Sequence, residues 1–315
     1  MQTQVTVHQG AELQSTAPRL QELVAQFSRE QDVKPSSRAV YAKNLARYLA
    51  WVEKKGYSLG ELTRAEVLQY KEELLAQGTS PLTVCSYLVT VKLFYEWAEG
   101  RKLYPNIARG VRVPKRVQNI QRSPLTAHQA SQLLHYYQAA GMLRDYALVS
   151  LMLRTGLRTI EITRATHSDL QHKGGQRVLM VQGKGRDGKD NFVILTEKAW
   201  APLQAYLESK GPQMKNAPLF TSTSNNNLGS KLTTRTIRQI AREGLDAIGC
   251  SDKAYTAHSL RHTAGCSILQ AGGSIETAQL TLRHASPVTT QIYIKHLDEQ
   301  RRLQNSGEAL VDSLF

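Results

Sequence analysis

The chain is poor in the residues that build cross-linked or metal-organised proteins. Its 315 residues contain three cysteines, Cys85, Cys250 and Cys266. The number is odd and no pair has CxxC spacing, which argues against a disulfide framework or a cysteine zinc site. Reduced thiols in a cytoplasmic protein are expected. Long apolar runs are lacking too. Tyr146 to Leu153 is among the longest, far short of the roughly 20 residues that span a bilayer, so no membrane partner is expected. The first residues, MQTQVTVHQG, show no basic start followed by an apolar core, and no signal peptide is expected. Acidic residues are outnumbered, 26 against 40 Lys and Arg, for a formal net charge of +14. An excess of this size implies a polyanionic partner, and nucleic acid leads that class. The one glycine-lysine stretch, Gly183 to Lys189, lacks the spacing and the following Ser or Thr of a nucleotide phosphate loop. No cofactor is expected.

Helix punctuation supplies the organisation. Residues 1–17 are polar and aperiodic and are expected to form a flexible start. From Arg19 to Glu99 the apolar spacing is helical throughout. Leu20, Leu23, Val24 and Phe27 mark a first helix. Ser36 or Ser37 is expected to cap a second, with Val40, Leu45, Tyr48, Leu49 and Val52 on its apolar side. Thr63 caps a third through Val67 and Tyr70 to Leu75, and Ser80-Pro81 opens a fourth that runs to Trp97. This gives an all-α domain over 18–104. Residues 105–124 carry Arg109, Arg112, Lys115, Arg116 and Arg122 and read as a basic, extended linker. Such a linker suits a chain that wraps DNA, because each phosphate neutralised releases counterions.

The second domain, 125–300, opens with a helix from Thr126 and an apolar helix, Tyr146 to Thr155, stopped by Gly156. Thr159 is expected to cap the next helix, with Glu161 in its first turn. After Asp169 the period changes to two. Arg177 to Val181 and Asn191 to Leu195 read as a hairpin whose glycine-rich tip carries Lys184, Arg186 and Lys189. Helices resume from Glu197 to Leu207 and from Thr233 or Thr234 to Leu245. The last of these carries Lys231, Arg235, Arg238 and Arg242 and is a candidate groove-facing element.

The densest chemistry lies near the C-terminus, in His258-Ser259-Leu260-Arg261-His262-Thr263, then Leu282-Arg283-His284, then Tyr293. On a helix His258 and Arg261 share a face, while Leu260, Ala264 and Ile268 anchor another. Gly272 and Gly273 stop that helix, Ser274 caps the next, and Ser286-Pro287 is expected to open a third that carries Tyr293. A phosphodiester under attack gathers charge on its equatorial oxygens, and guanidinium forks hold such charge best. Arg158 and Arg261 are two forks from distant parts of the chain, and helix N-terminal amides near Arg158 are expected to help. His258 or His284 can serve as base or hydrogen-bond donor. Lys184 can reach a leaving oxygen, and Tyr293 is a possible nucleophile. His258 and His262 also have i, i+4 metal-pair spacing, but no acidic residue stands between them. No metal site is expected.

In order, Thr155-Gly156-Leu157-Arg158 with Glu161, Gly183-Lys184-Gly185, His258 to Thr263, Leu282-Arg283-His284 and Thr289-Thr290-Gln291-Ile292-Tyr293 resemble the tyrosine recombinase (phage integrase) family. The resemblance covers the chain from about residue 18. It implies a mainly α fold: a four-helix SAM-like core-binding domain, then a mixed α+β catalytic domain in which helices surround a small antiparallel sheet. It implies that Arg158 and Arg261 hold the scissile phosphate, that Lys184 is the general acid for the 5′ hydroxyl, and that His258 assists proton transfer at Tyr293. It also implies that His284 bonds a non-bridging oxygen and that Glu161 and His262 support the site. Tyr293 would attack to give a 3′-phosphotyrosyl bond.

With only about 17 residues before the first helix, the chain resembles the simple Cre and Xer types without an arm-binding domain. The family has glycine where this chain has Arg283, which there implies a positive φ or a close approach to DNA. The tail, 301–315, holds Leu303, Leu310, Val311, Leu314 and Phe315. By resemblance it docks on a neighbouring protomer of a homotetramer assembled on DNA from chains that are monomers in solution. Expected DNA contacts are Arg38, Lys43, Thr83, Tyr87, Arg112, Lys115, Arg116, Lys231, Arg235 and Arg238. The competing readings are a catalytically idle DNA-binding regulator and a metal-dependent nuclease.

Overall fold

Prolines and hydroxyl side chains set the helix starts of the N-terminal unit. In this computed structural model, which describes residues 16–114, 122–183 and 186–314, the chain divides into two units, Met1–Gln118 and Asn119–Phe315. The first contains α1 (Thr16–Glu30), α2 (Pro35–Lys54), α3 (Arg64–Ala76) and α4 (Pro81–Gly100). Thr63 and Glu66 form a capping box at α3, and Ser80 accepts from Thr83 N at α4. The cap expected at Ser36 or Ser37 lies earlier. Pro35 starts α2 after Lys34, which is extended and makes no side-chain cap bond. Proline fits the first helical turn because its missing N–H would be unsatisfied there anyway.

Phe27, Leu45, Tyr48, Tyr70, Leu88, Phe94 and Tyr95 fill this unit's core. Tyr48 and Tyr95 are joined through their hydroxyls at 3.0 Å and Asn44 donates to Thr90 Oγ1 at 3.1 Å, whereas the buried Tyr70 hydroxyl has no hydrogen-bond partner among the described residues. Part of the stretch expected to be an extended linker is packed instead. Ala108 and Val111 are buried in this core, and Arg64 donates to the carbonyls of Arg109 and Gly110.

The second unit is built around α6 (Leu143–Thr155), whose residues 147–153 are all buried. A helix apolar on every side must be enclosed, and α5 (Ala127–Ala139) packs on it. The chain then runs through α7 (Thr159–Arg164) into β1 (Leu170–Lys173), β2 (Gln176–Val181) and β3 (Asn191–Ile194). These form an antiparallel sheet in the order β1-β2-β3, in register at Leu170 with Leu179 and at Val181 with Asn191. Strand β1 was not expected, since its sequence LQHK has no apolar alternation and is largely exposed. The turn Gly174-Gly175, with φ of 58° and 76°, supplies the left-handed pair that a tight hairpin needs.

Helix α8 (Glu197–Lys210) covers α6, followed by α9 (Thr234–Ala247), α10 (Ala257–Gln270), α11 (Ile275–Leu282), α12 (Val288–Gln304) and α13 (Gly307–Asp312). Helices α10, α11 and α12 meet in a small separate core of Ala264, Cys266, Leu282, Tyr293 and Leu297. Helix α12 starts one residue later than the Ser286-Pro287 signal implies: Pro287 occupies the N-cap position with helical angles, and no side chain caps it. No helix among the described residues is long and apolar enough to cross a membrane.

Candidate active site

Three helix ends converge on one buried carboxylate. The backbone of α6 turns left-handed at Gly156, φ 61°, and Leu157 and Arg158 lead into α7. Arg158 itself is the N-cap residue of α7 and Thr159 its first helical residue, so the helix starts one position earlier than expected. Glu161 reaches back to accept from Arg158 N and from Arg158 Nη1, both at 2.8 Å. From the far side Arg283 Nη2 donates to the same carboxylate at 2.9 Å. The Glu161 side chain is 0% exposed, Arg283 5% and Arg158 28%. Burial alone raises a carboxyl pKa, yet Arg283 and Arg158 outweigh it and hold Glu161 below the usual carboxylate range. One of the amides expected to receive a phosphate at the start of α7, Arg158 N, is therefore already served by the protein's own carboxylate.

Arg261 is 1% exposed and is among the largest fully buried side chains. Its guanidinium donates to Gly156 O at the end of α6 and to Leu282 O at the end of α11. Helix C-termini carry partial negative charge, so a cation between two of them is well placed. Burial and the neighbouring cations Arg158 and Arg283 push its pKa down to about 9, which leaves it charged at neutral pH. Arg283 closes the same junction. It sits in the left-handed region at φ 55°, ψ 48°, a conformation that costs a non-glycine residue about 1–2 kcal/mol. Its guanidinium also donates to Thr281 O at 2.6 Å and reaches Thr155 O and Gly156 O at 3.4 Å.

Tyr293 lies between two imidazoles. His262 meets its ring edge-on at 5.1 Å between centroids, and His284 stacks on it at 6.1 Å and 14°. His258 is one ring further away, edge-on to His262 at 5.1 Å. Tyr293 is 2% exposed. Burial raises its pKa, and the cations of Arg261 and Arg158 oppose that shift without overcoming it. Burial also lowers the histidines, His262 to about 4 and His284 to about 3, with nearby arginines adding to both. His258 is lowered too, first by desolvation where its ring meets the site, although the residue as a whole is exposed, and then by the cations of Arg261 and Arg158. All three rings are therefore neutral at pH 7. Thr290, fully buried, holds His284 Nδ1 at 2.9 Å, which leaves Nε2 as the nitrogen of that ring with no hydrogen bond among the described residues.

The neutral histidines make stability depend on acid. An unfolded histidine takes a proton near pH 6.5, whereas folded His262 and His284 resist it until about 4 and 3. The unfolded state binds more protons in that interval, so stability falls as pH drops from 6.5. Each ring contributes a loss of roughly 2 kcal/mol by pH 5. Denaturant midpoints at pH 7.5 and 5.0 measure it, and equal midpoints would contradict buried neutral rings. Packing around the tyrosine is equally testable. A Cβ on Gly265 would lie 2.8 Å from Tyr293 Cε2, 2.9 Å from Cζ and 3.0 Å from Leu282 Cδ1. Gly265→Ala is expected to lower stability by about 1–2 kcal/mol through overpacking, despite alanine's better helix propensity. A thermal melt at or above that of the wild type would contradict this.

Arg158, Glu161, Arg261, His258, His262, His284 and Tyr293 thus come together, while Lys184 lies outside the described residues. A cleft of about 340 Å³ opens beside them, lined by Arg158, Glu161, Arg186, Arg283 and His284 among others. Of the expected DNA-contacting residues, Lys43, Arg112, Lys231, Arg235 and Arg238 are exposed, and Lys115 and Arg116 lie outside the described residues. Arg38 is half-buried and donates to Gln31 O at 2.9 Å, Thr83 Oγ1 bonds the Ser80 cap at 2.8 Å, and Tyr87 lies under Arg47 at 5.1 Å. Arg242 is not free to face a groove. It pairs with Asp246 and donates to carbonyls of Ser251, Asp252 and Tyr255. The motif Thr289 to Tyr293 includes Thr290 but gives it no role, since neither of the two adjacent threonines carries a signal that distinguishes it.

Two family profiles match the chain, the phage integrase family over residues 123–300 and the phage integrase N-terminal SAM-like domain over 20–104. Tyrosine recombinase XerD of Chlorobaculum tepidum is 26% identical over 275 residues, covering 85% of this chain and 88% of that protein. Tyrosine recombinase XerC of Pelobacter propionicus is 29% identical over 272 residues, covering 84% and 86%. Among solved structures, XerH site-specific recombinase bound to palindromic difH substrate, a post-cleavage complex, superposes with a TM-score of 0.70 at 20% identity, covering 89% of this chain and 82% of that one. A mainly helical pair of units, the second with a three-stranded antiparallel sheet, is the architecture the resemblance implied. With its catalytic-type profile spanning more than half of the residues, the chain belongs to the phage integrase family, the tyrosine recombinases.

Proposed function

We propose that this enzyme cuts and rejoins specific duplex DNA sites through a covalent bond between Tyr293 and a 3′ phosphate. The observation that carries the reading is the placement of Tyr293 between His262 and His284, with the charges of Arg261 and Arg158 acting on its phenol. In the proposed step the Tyr293 oxygen attacks phosphorus, the bond from phosphorus to the 5′ oxygen breaks, and that oxygen leaves as a hydroxyl. Arg158 and Arg261 stabilise the charge gathered on the equatorial oxygens. His258 takes the phenolic proton, directly or by way of His262, and Lys184 supplies the proton to the leaving oxygen. His284, fixed through Thr290, presents Nε2–H to a non-bridging oxygen. A 5′ hydroxyl from another strand reverses the step, so the phosphodiester energy is conserved and no nucleotide is consumed.

The partners under this reading are double-stranded DNA with specific core sites and further copies of this chain in a tetramer. Leu303, Val311 and Leu314 are exposed in the tail and supply apolar surface for docking on a neighbour. The test is incubation with nicked candidate sites in excess chelator. A protein–DNA adduct carrying a free 5′ hydroxyl on the released strand is expected. Cleavage that leaves no adduct and stops in chelator would replace this reading with a metal-dependent nuclease.

A further inference from the structure

We infer that Arg283 is a positioning residue of the strand-transfer site, acting on Arg158 through Glu161; the inference rests on the function proposed above. Arg283 keeps a left-handed backbone that disfavours any side chain, so its guanidinium must be held by contacts rather than by backbone preference. Those contacts come from three elements. They are the C-terminal carbonyls of α6 and α11 and the Glu161 carboxylate of α7. Glu161 has no exposure of its own and divides its oxygens between the two arginines: Oε1 takes Arg158 Nη1, and Oε2 takes Arg158 N and Arg283 Nη2.

With Arg283 present, the carboxylate cannot rotate without breaking a buried ion pair. Arg158 is therefore fixed both at its backbone and at one arm of its fork, and its remaining donors line the cleft. Arg283 also lines that cleft, but its partners consume both Nη atoms, and its Nε is buried without a partner among the described residues. The geometry thus favours support of Arg158 over a direct hold on the phosphate.

The test is a double-mutant cycle on single-turnover cleavage of a nicked site at saturating DNA. Arg283→Asn keeps a residue that tolerates the left-handed region, and Arg283→Gly removes the backbone penalty as well. Each is expected to lower the cleavage rate by roughly 10- to 100-fold, the scale of a small misplacement of a catalytic group, with DNA affinity within about twofold. Arg283→Lys restores a single charged contact to Glu161 and is expected to recover part of the rate. Combined with Glu161→Gln, Arg283→Asn is expected to add little further loss, because both act through one contact.

Additive losses would overturn the inference in favour of direct phosphate contact. Wild-type rates in both Arg283→Asn and Arg283→Gly would overturn it outright, as would a fall in melting temperature with no change in rate. If the wild-type protein itself forms no adduct, the proposed function fails instead, and the two failures are distinct.

Discussion

Tyr293→Phe is expected to abolish the covalent protein–DNA adduct, by at least about 10⁴-fold in cleavage rate, the scale on which loss of a nucleophile is felt. DNA affinity is expected to stay within about twofold, because the residue is 2% exposed and offers the duplex almost no surface. Stability should move by no more than about 1 kcal/mol, since the ring and its packing against His262 and His284 remain. Denaturing gels with labelled nicked sites measure the adduct, and filter or gel-shift titrations measure affinity. An adduct that persists in the variant would assign the nucleophile to another residue and overturn the central claim. The burial that spares affinity has a second consequence. A phenol enclosed by apolar surface and raised in pKa is neutral at pH 7 to 8, so attack depends on a base at the moment of reaction.

The sequence made the site residues legible, while their partners were hidden by distance along the chain. His258, Arg261 and Tyr293 sit in short motifs whose helical phase can be counted; α10 carries the first two and α12 the third. Glu161 was legible as a first-turn acid. Its second partner besides Arg158, Arg283, is 122 residues away and reached through long-range packing that no local pattern encodes. Arg242 shows the converse limit. Charge periodicity cannot separate a groove-facing arginine from one that pins the loop before the next helix. The miss at β1 was avoidable, because Gly174-Gly175 between two short runs is itself a hairpin signal. The cap of α2 lies two or three residues before the expected serines and that of α7 one residue before Thr159, because a proline and the first-turn carboxylate of Glu161, rather than a hydroxyl, set the helix start.

Arg261→Ala is expected to damage stability and chemistry together, because one guanidinium serves both. Its two arms hold Gly156 O and Leu282 O, and truncation leaves both carbonyls buried without a donor at about 1–3 kcal/mol each. It also opens a cavity where the side chain was 1% exposed. Relief of repulsion with Arg158 and Arg283 offsets part of that loss. The net expectation is about 2–4 kcal/mol, or a fall of roughly 5–15 °C in Tm for a unit of this size. Two of the five guanidinium donors are spent on carbonyls, which leaves enough for a phosphate oxygen. Cleavage below the new Tm is therefore expected to fall by at least about 10³-fold. Arg261→Lys keeps the charge but has no fork to join two helix ends, and is expected to fall between the wild type and alanine in both measurements. Calorimetry and the adduct assay on the same preparations separate the effects. An unchanged Tm in Arg261→Ala would show that the fork does not hold α6 to α11, and an unchanged cleavage rate would remove Arg261 from the phosphate site.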